Sequence, residues 1–348
     1  MKLTSVPENW LERLALWLGI APTPLSDTHL AFMMARTLMV AAKAGIFEAL
    51  QNGPASPASV ADYCSTHPAA THKMLNSLVH LGYLKYRQNQ YALTALSRKW
   101  MLQESKSSVY DKMMLQFIEW KLVEHYDSYL QNGLPSELHQ VLDEKEWKLY
   151  QQGMRAMARI SAGEVAQRTP FPKKATRLLD VGGSHGYYSV AFCKKHPQLQ
   201  ATILDLPQAI THAAPLLKEE NMGQQVQHQA GNVLTEELGE NQWDVVFISS
   251  LVHHFTQEQN MVLAQKVEKA LKPGGLYIIQ EYARSDKPRR GDHLALLDFF
   301  FAATSESGTW SAREMKHWQK MAGLKHHKTL WLRTIPRHAQ IVGKKTAS

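Results

Sequence analysis

Cysteine is almost missing from this chain: Cys64 and Cys193 are the only two in 348 residues. A pair so widely separated argues against a disulfide framework and suggests a reducing compartment. Long apolar runs are missing too. The most apolar early stretch, from Leu30 to Phe47, is interrupted by Arg36 and Lys43, which argues against a bilayer span. The opening residues MKLTSVPENW lack the apolar run of a signal peptide, so the expectation is a cytoplasmic protein with no membrane partner. The third absence is acidic. From Met315 to Ser348 there is no Asp or Glu, but eight bases: Lys316, Lys320, Lys325, Lys328, Arg333, Arg337, Lys344 and Lys345. The whole chain has 39 Lys plus Arg and 31 Asp plus Glu, a formal charge of +8. Removing those eight leaves 31 bases against 31 acids, so the first 314 residues are formally neutral. The excess is local, and it does not by itself call for nucleic acid or an anionic membrane. What remains is ordinary: 44% apolar and 20% charged residues describe a globular protein, and the length predicts two domains.

Residues 8–104 read as helices followed by one hairpin. The stretch from Thr28 to Leu50 is rich in Ala, Leu and Met on nearly every face, which predicts a helix buried on several sides. Helical patterns over 57–65 and 70–82 precede two short runs, Leu84 to Tyr86 and Tyr91 to Leu93, that flank a polar turn. Helix, helix and wing describe a winged helix-turn-helix. That is first a DNA-binding hypothesis, so its bases decide it. Ala70 to Gly82, in the recognition position, carries Lys73, His72 and His80 and no Arg, and residues 1–104 have nine bases and six acids. This is a thin supply for phosphate neutralisation, which favours a packing or dimerisation module with no nucleic-acid partner. A helical region over 108–168 follows, with Met113, Phe117 and Trp120 and then Tyr150, Met154 and Met157 at helical spacing, ended by Pro170 and Pro172.

From Thr176 short apolar strands alternate with amphipathic helices, the signature of a parallel, doubly wound sheet whose ligand sits beyond the carboxyl ends of its strands. The first strand runs into Asp180-Val181-Gly182-Gly183-Ser184-His185-Gly186, where glycine lets backbone approach a ligand. A nicotinamide fingerprint would place Gly at 182, 184 and 187. Ser184 and Tyr187 stand at the last two, which speaks against that cofactor. Asp205 ends the second strand, where it can accept from ribose hydroxyls or cap the helix that begins at Pro207. Gly231-Asn232-Val233 ends the third, with a polar side chain beside an apolar one to hold an adenine. Together these strand ends describe a nucleoside-binding crevice.

The ordered set LLDVGGSHG, ILDLP, GNVL, DVVFISSLVHHF and LKPGG resembles the class I S-adenosylmethionine-dependent methyltransferases. The helical, winged N-terminal half narrows the resemblance to the small-molecule O-methyltransferases of the plant caffeic acid and acetylserotonin type and their bacterial relatives. It covers nearly the whole chain. It implies an α/β fold: a Rossmann-like, doubly wound methyltransferase sheet with an antiparallel C-terminal hairpin, preceded by a mainly α winged-helix domain. Residues 1–104 would be a winged-helix dimerisation domain joining a homodimer through the N-terminal helices. Residues 105–348 would be the methyltransferase domain, with 105–172 as linking helices that help form the substrate pocket. S-adenosylmethionine would be the cofactor, S-adenosylhomocysteine its product, and no metal is expected. By motif, Gly182 would meet the methionine portion, Asp205 and Leu206 the ribose, and Asn232 and Val233 the adenine. Three positions depart from the family pattern. Ser184 stands where a third Gly is usual, Asn232 where Asp is usual, and Ser249 where many plant members have Lys; all three count as cofactor-binding positions here.

Methyl transfer to oxygen requires alignment and removal of a proton, and the side chain tuned near neutrality is His. His253 and His254 stand together after the fourth strand, and either is a candidate. Alignment with the family selects His253 as general base. It assigns Glu281 as one of two Glu residues flanking that base. Thr309 stands where the second belongs, and Asp298 is the residue that can compensate. Met154, Asp298, Phe299 and Trp310 fall where relatives line the acceptor site, implying a planar, apolar, aromatic acceptor whose hydroxyl is methylated. Three alternatives stay open at this point: N- or C-methylation, a non-methylating relative of the same fold, and, less favoured, a winged-helix regulator that senses a ligand. The eight bases fall on the final helix and on a hairpin predicted over 324–332 and 336–343, where lysines protect a sheet edge.

Overall fold

The computed structural model describes residues 6–7, 9–136 and 141–346. Two compact units form, Met1–Phe117 and Ile118–Ser348. In the first, α1 (Trp10–Leu18) starts at Asn9, whose side chain accepts the Glu12 N–H, and stops at Gly19 in the left-handed region. A widened turn at Ser26–Leu30 leads into α2 (Ala31–Lys43). Ser56 caps α3 (Pro57–Cys64), and α4 (Pro68–His80) follows, each with Pro at its start. The wing pairs β1 (Leu84–Arg87) with β2 (Gln90–Leu93), and Gln88 and Asn89 both adopt the positive φ that a two-residue hairpin turn demands. Helices α5 (Ala95–Trp100) and α6 (Tyr110–Val123) complete the path out of this unit.

One expectation changes here. The 28–50 stretch is not buried on several sides. Met39, Ala41 and Ala42 are buried, while Leu30, Phe32, Met33, Met34 and Val40 are exposed. The first unit runs past residue 104 to Phe117, whose ring lies under the cations of Arg36 and Lys43, 4.7 and 4.9 Å from its centroid.

The second unit begins with α7 (Tyr126–Asn132) and the long α8 (Glu144–Arg168), which opens in a capping box between Asp143 and Glu146. Five parallel strands follow: β3 (Arg177–Val181), β4 (Gln200–Asp205), β5 (Val226–Ala230), β6 (Trp243–Ser249) and β7 (Leu271–Arg284). Helices α9 (Tyr187–Lys195), α10 (Pro207–Glu219) and α11 (Gln257–Ala270) separate them. Beyond β7 come α12 (Leu294–Thr304), the two-residue β8 (Trp310–Ser311), α13 (Ala312–Met321) and the antiparallel pair β9 (Lys325–Trp331) and β10 (His338–Lys344). The sheet order is β5-β4-β3-β6-β7-β10-β9, with β10 antiparallel to β7 and to β9. This is the doubly wound sheet that the alternation predicted, with the antiparallel C-terminal hairpin that the family resemblance implied.

Alternate residues of the strands feed two cores. One face holds Leu179, Val181, Val246, Ile248, Tyr277, Ile279, Ala339 and Ile341; the other holds Leu178, Ile203, Val245, Phe247, Ile278 and Val342. Strands buried on both faces explain the unbroken apolar runs in the sequence. β9 forms the outer edge, and Lys325, His326, His327 and Lys328 on it are exposed. Among the described residues no helix is long and apolar enough to cross a membrane.

Candidate active site

The strand order reverses at β3, so a crevice opens beyond the carboxyl ends of β3, β4 and β6. The turn after β3 is built around close approaches. A side chain on Gly183 would come within 2.4 Å of the Asp180 carboxyl group. Gly186 has φ +70° and would meet Ile203 at 2.6 Å. Ser184 takes a positive φ of 49° without being glycine. Three contacts hold it there: its N–H donates to Asp205 Oδ2 at 2.8 Å, its hydroxyl to Gln151 on α8, and its carbonyl pairs with His228 Nε2 at 2.7 Å. The other Asp205 oxygen accepts the Leu206 N–H at 2.8 Å. Burial pushes the Asp205 carboxyl up to about 6, against the pull of those two N–H donors. Burial pushes Asp180 up to about 7, only partly offset by the Ser189 hydroxyl 2.6 Å away.

His185 in the same turn is buried and driven down to about 3, first by burial and then by Arg155 and Arg159, so it is a neutral imidazole. Its Nδ1 accepts the Tyr187 N–H at 3.1 Å, and its ring is hydrogen-bonded to the backbone of Met154. Met154 itself is half-buried on α8. Asn232, exposed next to the buried Val233, turns its side chain back to the Leu234 N–H at 3.0 Å. Ser249 ends β6 and accepts from Gln280 Nε2 at 3.0 Å. Gln280 in turn accepts from Gln340, which is bonded to Thr169, so a buried amide chain runs from Ser249 to the end of α8. Each Asp205 oxygen accepts one N–H and keeps a lone pair for a further donor, so the carboxylate fits a ribose diol.

The turn after β6 is made of side chains. His253 is 4% exposed and Glu281, at the end of β7, is fully buried. His253 Nδ1 lies 2.9 Å from Glu281 Oε2, and Glu281 Oε1 accepts the Tyr282 N–H at 3.0 Å. With its proton shared to Glu281, Nδ1 leaves Nε2 as the acceptor nitrogen. Phe301 stacks on the His253 ring with centroids 4.0 Å apart. His254 is turned away to Ser305 Oγ at 2.8 Å. The two adjacent imidazoles therefore have different partners.

The expected acceptor residues separate. Phe299 is 37% exposed and meets Tyr126 and Tyr129 edge-on. Asp298 Oδ1 accepts both the N–H and the hydroxyl of Thr309, at 2.6 and 2.7 Å. Trp310, the fourth of them, is buried. It is 9% exposed in the core against Trp318, and its indole N–H donates to Val252 O at 2.9 Å, fixing the residue before His253. Sequence reading missed the parts played by Gln151, His228 and Gln280, whereas Phe301 ends the apolar run from Leu294 that reads as core or the wall of an aromatic pocket. Among the described residues no grouping of side chains could hold a metal.

Residues 131–325 match the O-methyltransferase domain family, and residues 26–103 match the O-methyltransferase dimerisation domain. The chain therefore belongs to the S-adenosylmethionine-dependent O-methyltransferases, the class that its sheet, crevice and strand-end motifs define. Among similar proteins is a 3-hydroxy-5-methyl-1-naphthoate 3-O-methyltransferase of Streptomyces sahachiroi, 21% identical over 93% of this chain and 95% of that one. Another is the tetracenomycin polyketide synthesis 8-O-methyl transferase of Streptomyces glaucescens, 23% identical over 87% of this chain and 91% of that one. Human N-acetylserotonin methyltransferase, solved in complex with S-adenosylmethionine, has the same fold: TM-score 0.82 at 19% identity, over 99% of this chain and all of that one.

Proposed function

We propose that this O-methyltransferase methylates a hydroxyl of an aromatic small molecule, with His253 as general base. The observation that carries the reading is the 2.9 Å bond between His253 Nδ1 and the buried Glu281 carboxyl group. It holds one tautomer and directs the basic nitrogen, Nε2, away from Glu281. Bound S-adenosylmethionine supplies an electrophilic methyl group. That methyl group would leave sulfur for the acceptor oxygen as the carbon–sulfur bond breaks and S-adenosylhomocysteine departs, while the acceptor's proton would pass to His253 Nε2 and Glu281 would stabilise the resulting imidazolium. A base so positioned contributes roughly 10²–10⁴-fold. Gly182 and Ser184 serve the methionine portion, Asp205 and Leu206 the ribose, Asn232 and Val233 the adenine, and Ser249 the rim between cofactor and acceptor. Met154, Asp298 and Phe299 serve the acceptor, with Trp310 acting through Val252. The ring faces of Phe299 and Phe301, and the naphthoate and polyketide acceptors in the names of the two Streptomyces relatives, support a planar acceptor.

Residues 1–104 serve as the dimerisation module of a homodimer and 105–348 as the methyltransferase domain, in a cytoplasmic enzyme. The homodimer is supported by the dimerisation-domain match and by the uncovered apolar side chains of the first unit, among them Trp10, Trp17 and Phe32 at 71, 79 and 50% exposure. A His253→Ala variant tests the central claim. Calorimetry should find S-adenosylhomocysteine binding intact while turnover falls by about 10²–10⁴-fold; unchanged turnover overturns the role of the base.

A further inference from the structure

We infer that Asp298 selects acceptors carrying a hydrogen-bond donor beside the hydroxyl presented to His253. The inference rests on the reading of His253 as base and adds a claim about the acceptor's chemistry. Asp298 and Phe301 are three residues apart on α12, so they share a helix face, and Phe301 is the ring stacked on His253 at 4.0 Å. The end of the same helix is joined to the neighbouring histidine by the Ser305 to His254 bond of 2.8 Å. From the other side, Thr309 lies between Gly308, where a Cβ would reach 2.5 Å from Asp298 Oδ1, and Trp310, whose indole is bonded to Val252 O. Arg284 Nε donates to the Thr309 carbonyl at 2.7 Å, so the residue that grips Asp298 is itself fixed.

The grip is one-sided. Both Thr309 donors go to Oδ1, and Oδ2 has no hydrogen-bond partner among the described residues. A half-buried carboxyl oxygen on the helix that carries Phe301 accepts hydrogen bonds and repels lone pairs. It therefore favours a second hydroxyl or an amine next to the reacting oxygen and disfavours an ether or carbonyl there. Thr309 also dictates what an amide would do at this position. With two donors aimed at Oδ1, Asp298→Asn must keep its oxygen there and turn its NH₂ outward, converting an acceptor into a donor with little change in shape.

The test is calorimetric titration of the full-length enzyme loaded with S-adenosylhomocysteine, using naphthalene-2,3-diol and 3-methoxy-2-naphthol as probes. The wild type should bind the diol about tenfold or more tightly than the methoxy compound. Asp298→Asn should abolish or reverse that preference. Equal affinity in the wild type, failure of both probes to bind, or a preference that survives in Asp298→Asn overturns the proposal. His253→Ala separates the two claims: it should keep the diol preference while losing turnover, and an active His253→Ala enzyme that still prefers the diol removes the base and leaves the selectivity of Asp298 standing.

Discussion

The turn after β3 and the turn after β6 both leave buried parallel strands, yet they use their polar groups differently. In the first, Asp205, Ser184, Gln151, His185 and His228 largely hold one another or the backbone. The geometry of this turn comes from main-chain donors and glycine. In the second, one half of each functional group is fixed and the other half is left free: His253 by Glu281, Asp298 by Thr309. A backbone-built turn suits a constant nucleoside. Side chains anchored at one end suit a step in which a proton must move and acceptors differ.

Four substitutions sharpen or break that contrast. The largest effect should come from Glu281→Gln, which removes the carboxylate from His253 and should lower kcat by about 10²–10⁴-fold with S-adenosylhomocysteine affinity unchanged; a matching loss of affinity would mean the two turns are not separable. Gly183→Ala drives a methyl group into the Asp180 carboxyl and should cost on the order of 1–3 kcal/mol of stability, seen as a lower Tm. Asp205→Asn should weaken S-adenosylhomocysteine binding by about 10–100-fold while a saturated enzyme keeps most of its kcat. Burial raises Asp205 to about 6, so the carboxylate proposed to accept ribose hydroxyls is depleted as pH falls through that value. Wild-type affinity should accordingly drop between pH 7 and pH 5, and in Asp205→Asn that dependence should flatten. His228→Ala removes one bond to the Ser184 carbonyl and should weaken cofactor binding by only about two- to tenfold.

How much of this could be read from the sequence follows the same division. The turn after β3 was legible because glycine spacing, a strand-end Asp and a strand-helix alternation are all local patterns. The pairing of His253 with Glu281 came from family resemblance, since 28 residues separate the partners and only the β6–β7 register brings them together. Gln151 and His228 reach Ser184 from 33 and 44 residues away, and no periodicity marks them. An aromatic residue beside a pocket motif, as Trp310 is, looks the same in sequence whether its ring faces ligand or core. For α2 the sequence misleads in the opposite way: apolarity on every face reads as burial, yet Phe32, Met33, Met34 and Val40 are exposed.

The basic outer strand has a practical consequence. β9 presents Lys325, His326, His327 and Lys328 on a single sheet edge, while the first 314 residues are balanced in formal charge. A cation-exchange resin will therefore meet this molecule edge first and hold it in one orientation. Neutralising Lys325 or Lys328 should shorten retention far more than removing a base elsewhere, and an enzyme immobilised through this edge keeps the strand ends that form the crevice directed along the sheet rather than into the matrix.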